Sequence, residues 1–76
     1  MSPKLPRIGC EKLIQILKRA GFIEQRQRGS HLHLKRITDC KRVTVPVHKG
    51  KIVPPATLHA ILRDAEITLE EFIKLL

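Results

Sequence analysis

The sequence predicts an α+β domain: a three-stranded antiparallel sheet with helices on one face and the other face open. Three observations carry that expectation. An amphipathic stretch with a period near 3.6 runs from Gly9 to Ala20. Two alternating segments, HLHLK at residues 31–35 and RVTVPVH at residues 42–48, follow across short turns. A second helical stretch, TLHAILRDA, comes after them. Tight turns between successive strands imply an antiparallel meander, and a sheet with one apolar face must cover it with the helices available. The chain has 76 residues, which suits one domain spanning residues 1–76. Phe22 and Phe72 are its only aromatic residues, so the core must be largely aliphatic.

Each element has a local reason. Residues 1–8 carry Pro3 and Pro6 and read as an extended N-terminal arm. Leu13, Ile14, Ile16, Leu17 and Ala20 mark the buried face of the first helix, and Gly21 stands where a left-handed residue ends it. Lys18 and Arg19 fall in its last turn, where the helix dipole favours cations. FIEQRQ is a strand whose start alone is apolar, and RGS is a turn. In HLHLK, Leu32 and Leu34 take one face while His31, His33 and Lys35 take the other. TDCK is the next turn. Val43, Val45 and Val47 then face the core, with Thr44, Pro46 and His48 outward. Pro46 has no N–H for a ladder, which places this strand at a sheet edge. After the HKGK turn, Pro54-Pro55 blocks a strand and precedes a helix with Leu58, Ile61, Leu62 and Ala65 on one face. TLEE, at residues 68–71, fits a capping box for a short last helix.

Charge is the strongest compositional signal. From Arg26 to Lys51 there are eight cations and one anion, Asp39, so this segment carries +7 of the chain's net +8. Such clustering is the electrostatic footprint of a polyanionic partner. The two cysteines, Cys10 and Cys40, form no metal-ligand or redox spacing and are expected as reduced thiols in a cytoplasmic protein. No signal peptide and no membrane span are expected.

The open face of the sheet therefore holds histidines among cations. Zinc would need further ligands and a fixing second shell. The neighbours here are Arg and Lys, which repel a dication, and carboxylates are too scarce in the segment for a two-metal nuclease. RNA carries its own nucleophile, the 2′-hydroxyl. Cutting it needs a base, an acid and cations to stabilise the phosphorane. Histidine, with an ordinary pKa of about 6.5, serves either proton-transfer role near neutrality, and Lys and Arg supply the electrostatic part. Passive RNA binding by the same face is the alternative that this chemistry leaves open. A serine mechanism is set aside, because Ser30 and His31 point to opposite faces of a strand and no carboxylate is placed to orient the imidazole.

GSHLHL after a helix and a short strand, then VTVPVHKGK, then TLHAILRDAEIT with a following EEF, together resemble the HicA (YcfA-like) family of bacterial toxins, from about Gly9 to Phe72. The resemblance implies a double-stranded-RNA-binding-domain-like fold of α-β-β-β-α order. It also implies an mRNA endoribonuclease of a type II toxin–antitoxin pair, neutralised by a HicB-type antitoxin. The family's catalytic histidine, in its Gly-Ser-His motif, corresponds to His31. Gly29 and Ser30 match that motif and would shape the turn presenting His31. His48 matches a recurrent position with a substrate-contacting or structural role. One departure is Glu66, which stands where the family usually has Gly. A left-handed backbone there would cost a non-glycine residue about 1 kcal/mol.

The resulting expectation is a toxin that cuts single-stranded mRNA with His31 as general acid or base, without metal or other cofactor. Arg28, Lys35, Lys49 and Lys51 are candidates for gripping phosphates, and Gly29, Ser30, His33 and His48 complete the expected RNA-contacting set. His33 is either a second proton-transfer group or a solvated strand residue. The free form is expected to be a monomer without membrane association. The competing readings are a non-catalytic RNA-binding module on the same face and an interaction module for an acidic protein. With so few aromatics, base stacking is a poor prospect and weak sequence preference is expected.

Overall fold

A computed structural model describes residues 5–76 of the chain. The order is α1 (Cys10–Arg19), β1 (Phe22–Arg28), β2 (His31–Arg36), β3 (Lys41–Pro46), α2 (Pro55–Asp64) and α3 (Leu69–Leu75). The strands form one antiparallel sheet in the order β1-β2-β3. This is the α+β arrangement expected, the short terminal helix included. Among the described residues no helix is long and apolar enough to cross a membrane.

The periodicities translate directly into burial. Cys10, Leu13, Ile16 and Leu17 form the buried stripe of α1. Leu32 and Leu34 of β2 and Val43 and Val45 of β3 enter the same core, and Leu58, Ile61 and Leu62 of α2 close over it. Phe22 and Phe72 are its two largest members. On β1 only Phe22 is buried. Pro46 ends β3, an edge strand as its missing N–H requires. Val47 is half-buried, and its N–H still reaches the Ser30 carbonyl at 2.6 Å. His48 lies past the end of the strand rather than on it.

Of the arm expected over residues 1–8, the first four lie outside the described residues. Ile8 is buried, and its carbonyl accepts from the Val53 N–H at 2.8 Å. A bridge between Gly9 and Ile52 adjoins it. The chain entering α1 is thus stitched to the chain approaching α2.

Helix ends follow their caps. Gly21 takes φ +98° after α1, a conformation cheap only for glycine. Pro55 is the first residue of α2, where its missing N–H costs nothing. At the other end of α2, the Ile67 N–H bonds the Leu62 carbonyl at 2.9 Å and the Glu66 N–H bonds the Arg63 carbonyl at 3.0 Å. That pair of bonds is a Schellman motif, completed by apolar contact between buried Leu62 and Ile67. Its left-handed residue is Glu66, at φ +54°. The Glu66 carboxylate meets the Lys41 ammonium at 2.7 Å, and that hydrogen bond holds the Lys41 proton more tightly than usual. For α3, the Thr68 hydroxyl accepts from the Glu71 N–H at 3.1 Å. The return bond of the capping box does not form.

Arg36 joins these parts. It sits on the helix-facing side of β2, opposite Phe22 and Lys41. One guanidinium nitrogen donates to the Ala65 carbonyl at 2.9 Å and another to the Ala20 carbonyl at 3.5 Å, the C-caps of α2 and α1. Nε and an Nη hold the two Asp39 oxygens at 3.0 and 2.8 Å. The plane lies 4.8 Å above the Phe22 ring. A cation is therefore set at the negative ends of two helix dipoles. The bond to Asp39 raises the guanidinium pKa and drives the Asp39 carboxyl below the usual aspartate range.

Four outcomes are expected. Arg36→Ala should destabilise the fold by roughly 2–3 kcal/mol in urea unfolding, since two cap carbonyls lose a charged donor. Arg36→Lys should recover less than half, because an ammonium has no planar fork. Glu66→Gly should raise the thermal midpoint by roughly 2–6 °C, relieving left-handed strain at the expense of an exposed ion pair. Glu66→Ala should lower it, because the strain stays and the pair is lost.

Candidate functional site

Pairing register builds the site. Facing residues of neighbouring strands point the same way, so the sheet's open face reads as three rows. Arg28, His31 and Pro46 form the first; Arg26, His33 and Thr44 the second; Ile23, Lys35 and Arg42 the third. Four cations and two histidines share that face, and none of its rows contains a carboxylate.

Arg26 and Arg28 are there because of an irregularity. Phe22 points into the core, and strict alternation would put Glu24, Arg26 and Arg28 on the core side with it. Between Glu24 and Arg26 the register shifts by one residue, at Gln25. This bulge turns Arg26 and Arg28 to the histidine face. Glu24, before the bulge, still faces the helices and pairs with Lys18 of α1.

The two strand histidines differ. His31 opens β2 directly after the Gly29-Ser30 turn and is exposed. Gly29 adopts φ +60°, which lets two residues reverse the chain. The Gln27 side chain bonds the Gly29 carbonyl at 3.1 Å, and the Ser30 carbonyl is held by Val47. The turn is pinned on both sides, yet the His31 ring has no hydrogen-bond partner among the described residues. His33 is half-buried, with its Nδ1 3.1 Å from the Thr44 hydroxyl.

The remaining expected residues divide by location. Lys35 lies on the open face, in the third row. His48, Lys49 and Lys51 are exposed in the turn after β3, where the Lys51 N–H bonds the His48 carbonyl at 3.1 Å. β3 ends at Pro46, opposite His31, so this turn leaves the sheet at the His31 end. Lys51 also lies beside the start of α1, across a shallow cleft with Gly9 and Cys10. His48 borders a smaller cleft with Pro46 and Pro54.

The ion pairs sort the cations of the basic segment. Arg36 is taken by Asp39 and Lys41 by Glu66. Among the described residues Arg26, Arg28, Lys35 and Arg42 have no anionic partner. Sequence reasoning weighed Arg26 and Arg42 only as charge and did not place Thr44 beside His33. The outward alternation of Arg42 and Thr44 was available as a signal for those two. For Arg26 the bulge removes any simple signal. No three His, Cys, Asp or Glu side chains among the described residues are grouped to hold a metal ion. Cys10 is buried and Cys40 exposed, both as free thiols.

Residues 10–67 match the family model described as the HicA toxin of bacterial toxin–antitoxin. No curated protein matches the chain. The matched stretch takes in α1, the whole sheet, α2 and the Glu66 cap. The chain therefore belongs to the HicA toxin family of bacterial toxin–antitoxin systems.

Proposed function

We propose that this toxin is a metal-independent endoribonuclease that cuts single-stranded mRNA, with His31 transferring a proton at the scissile linkage. The observation that carries this reading is the first row of the open face. An exposed imidazole with an uncommitted ring stands directly opposite Arg28, on a surface of unpaired cations. Attack by the 2′-hydroxyl on its own phosphate needs a proton removed from that oxygen and one delivered to the departing 5′-oxygen. His31 is free to perform either step, and Arg28 is placed to stabilise the phosphorane charge. Lys49 and Lys51 extend the positive surface at the same end of the sheet. The unpaired cations also make this face unfavourable for a dication, which favours acid–base chemistry without metal. A HicB-type antitoxin would neutralise the toxin by covering or distorting the same face, a surface suited to an electrostatically complementary partner.

One observation favours the second reading, RNA binding without cleavage. No side chain among the described residues orients the His31 ring, as a dedicated acid–base group is often oriented. Incubating purified protein with single-stranded RNA in EDTA separates the two. Cleavage supports the enzyme; a mobility shift with intact RNA supports the binder.

If the enzyme reading holds, products end in a 2′,3′-cyclic phosphate and begin with a 5′-hydroxyl, and DNA is untouched. His31→Ala should lower the cleavage rate by about 10²-fold or more with an unchanged melting midpoint. A 5′-phosphate on the products, or cells still poisoned by that variant, would reject the mechanism. The phosphate contact is tested by salt. Arg28→Ala should reduce the slope of log affinity against log salt by about 0.7 for a single strand. Lys74→Ala, on α3, should leave the slope unchanged.

A further inference from the structure

The groove beside His33 has contents that His31 chemistry does not use. It is open to solvent and offers about 610 Å³, a volume suited to a ligand of nucleotide size. Its strand side carries Arg26, Lys35 and Arg42 around His33. These three cations have no anionic partner among the described residues. Its far wall comes from α2, which packs on β3, and presents Thr57, Ala60 and Asp64.

We propose that this groove binds one nucleotide of single-stranded RNA and holds the phosphate next to the one presented to His31. The proposal rests on the cleavage reading above and adds a subsite to it. His31 and His33 are two residues apart on β2, a separation of about 7 Å along a strand. That is close to one step of an extended ribose–phosphate chain, so a strand lying along β2 places successive phosphates at the two rows. His33 acts there as a ligand. Its Nδ1 is engaged by Thr44, which fixes the ring and leaves Nε2 for the incoming group. The groove is also polarised. Asp64 repels a phosphate from the α2 wall, so the phosphate belongs among the strand cations, and sugar and base lie toward Thr57 and Ala60.

The test compares three uridine dinucleotides as substrates: UpU, pUpU and UpUp. In the unaltered protein, a terminal phosphate on one side should lower KM by about tenfold relative to UpU, and on the other side by less than about threefold. Arg42→Ala and Arg26→Ala should each cut the tenfold gain to about threefold or less, whereas Lys74→Ala should keep it. Melting midpoints confirm that the variants are folded. A binding measurement runs beside this, titrating UpUpU into His31→Ala protein while following the His33 ring resonances. They should shift, and adding Arg42→Ala should suppress the shift. Efficient cleavage with no gain from either flanking phosphate, or with the same gain in both arginine variants, overturns the subsite and leaves cleavage standing. Shifts at His33 that depend on Arg42, in a protein that cuts no RNA, support the subsite and overturn the cleavage reading. An intact phosphate gain in Arg42→Ala, combined with weakened binding of the purified antitoxin, assigns the groove to the protein partner and overturns the proposal.

Discussion

The C-terminal ends of α1 and α2 both arrive at the same end of the sheet, and each brings carbonyls with no partner inside its helix. Arg36 satisfies one at each end while its plane rests on Phe22 and its fork grips Asp39. Few side chains are suited to all of this, because the contacts need a planar cation with several fixed donors. The junction fixes where the helical layer sits on the sheet. It thereby decides which face stays open and how α2 borders β3. Gly21 is part of the same junction: it lies against the Arg36 methylenes, and its φ of +98° would strain any side chain placed there.

That junction also sorts the electrostatics. A small domain with a large excess of one charge works against its own compactness. Here Asp39 and Glu66 neutralise Arg36 and Lys41, the cations at the structural end of the strands. Cations on the open face are left without partners, and the field is concentrated on that face. The same separation explains why an exposed surface can stay strongly basic without a covering layer. Its charged heads remain in water while the aliphatic core lies entirely behind the sheet.

Much of this was legible from residue order alone. Leu32 and Leu34 against His31 and His33 gave the two faces of β2, and Pro46 gave the edge. The family resemblance, rather than residue order, marked Glu66 as standing in a glycine's place, and its backbone is left-handed. Other features were not legible, for physical reasons. Arg36 reads as one more cation in a basic run, because its partners are backbone carbonyls far away in sequence. His48 continues the alternation of β3 in the sequence, yet strand pairing stops at Pro46. For the candidate site, the groove beside His33 depends on α2 lying against β3, a tertiary relation that periodicity does not encode.

The bulge at Gln25 lets β1 answer to two demands. Its first residue must reach inward as an aromatic, and its last residues must display guanidiniums outward. Seven residues of β1 thus span a ladder that six of β2 complete. Deleting Gln25 would restore strict alternation with Phe22 still inward and Arg26 and Arg28 still outward, so in this toxin the surplus residue reconciles the count of one short strand with the polarity of an entire surface.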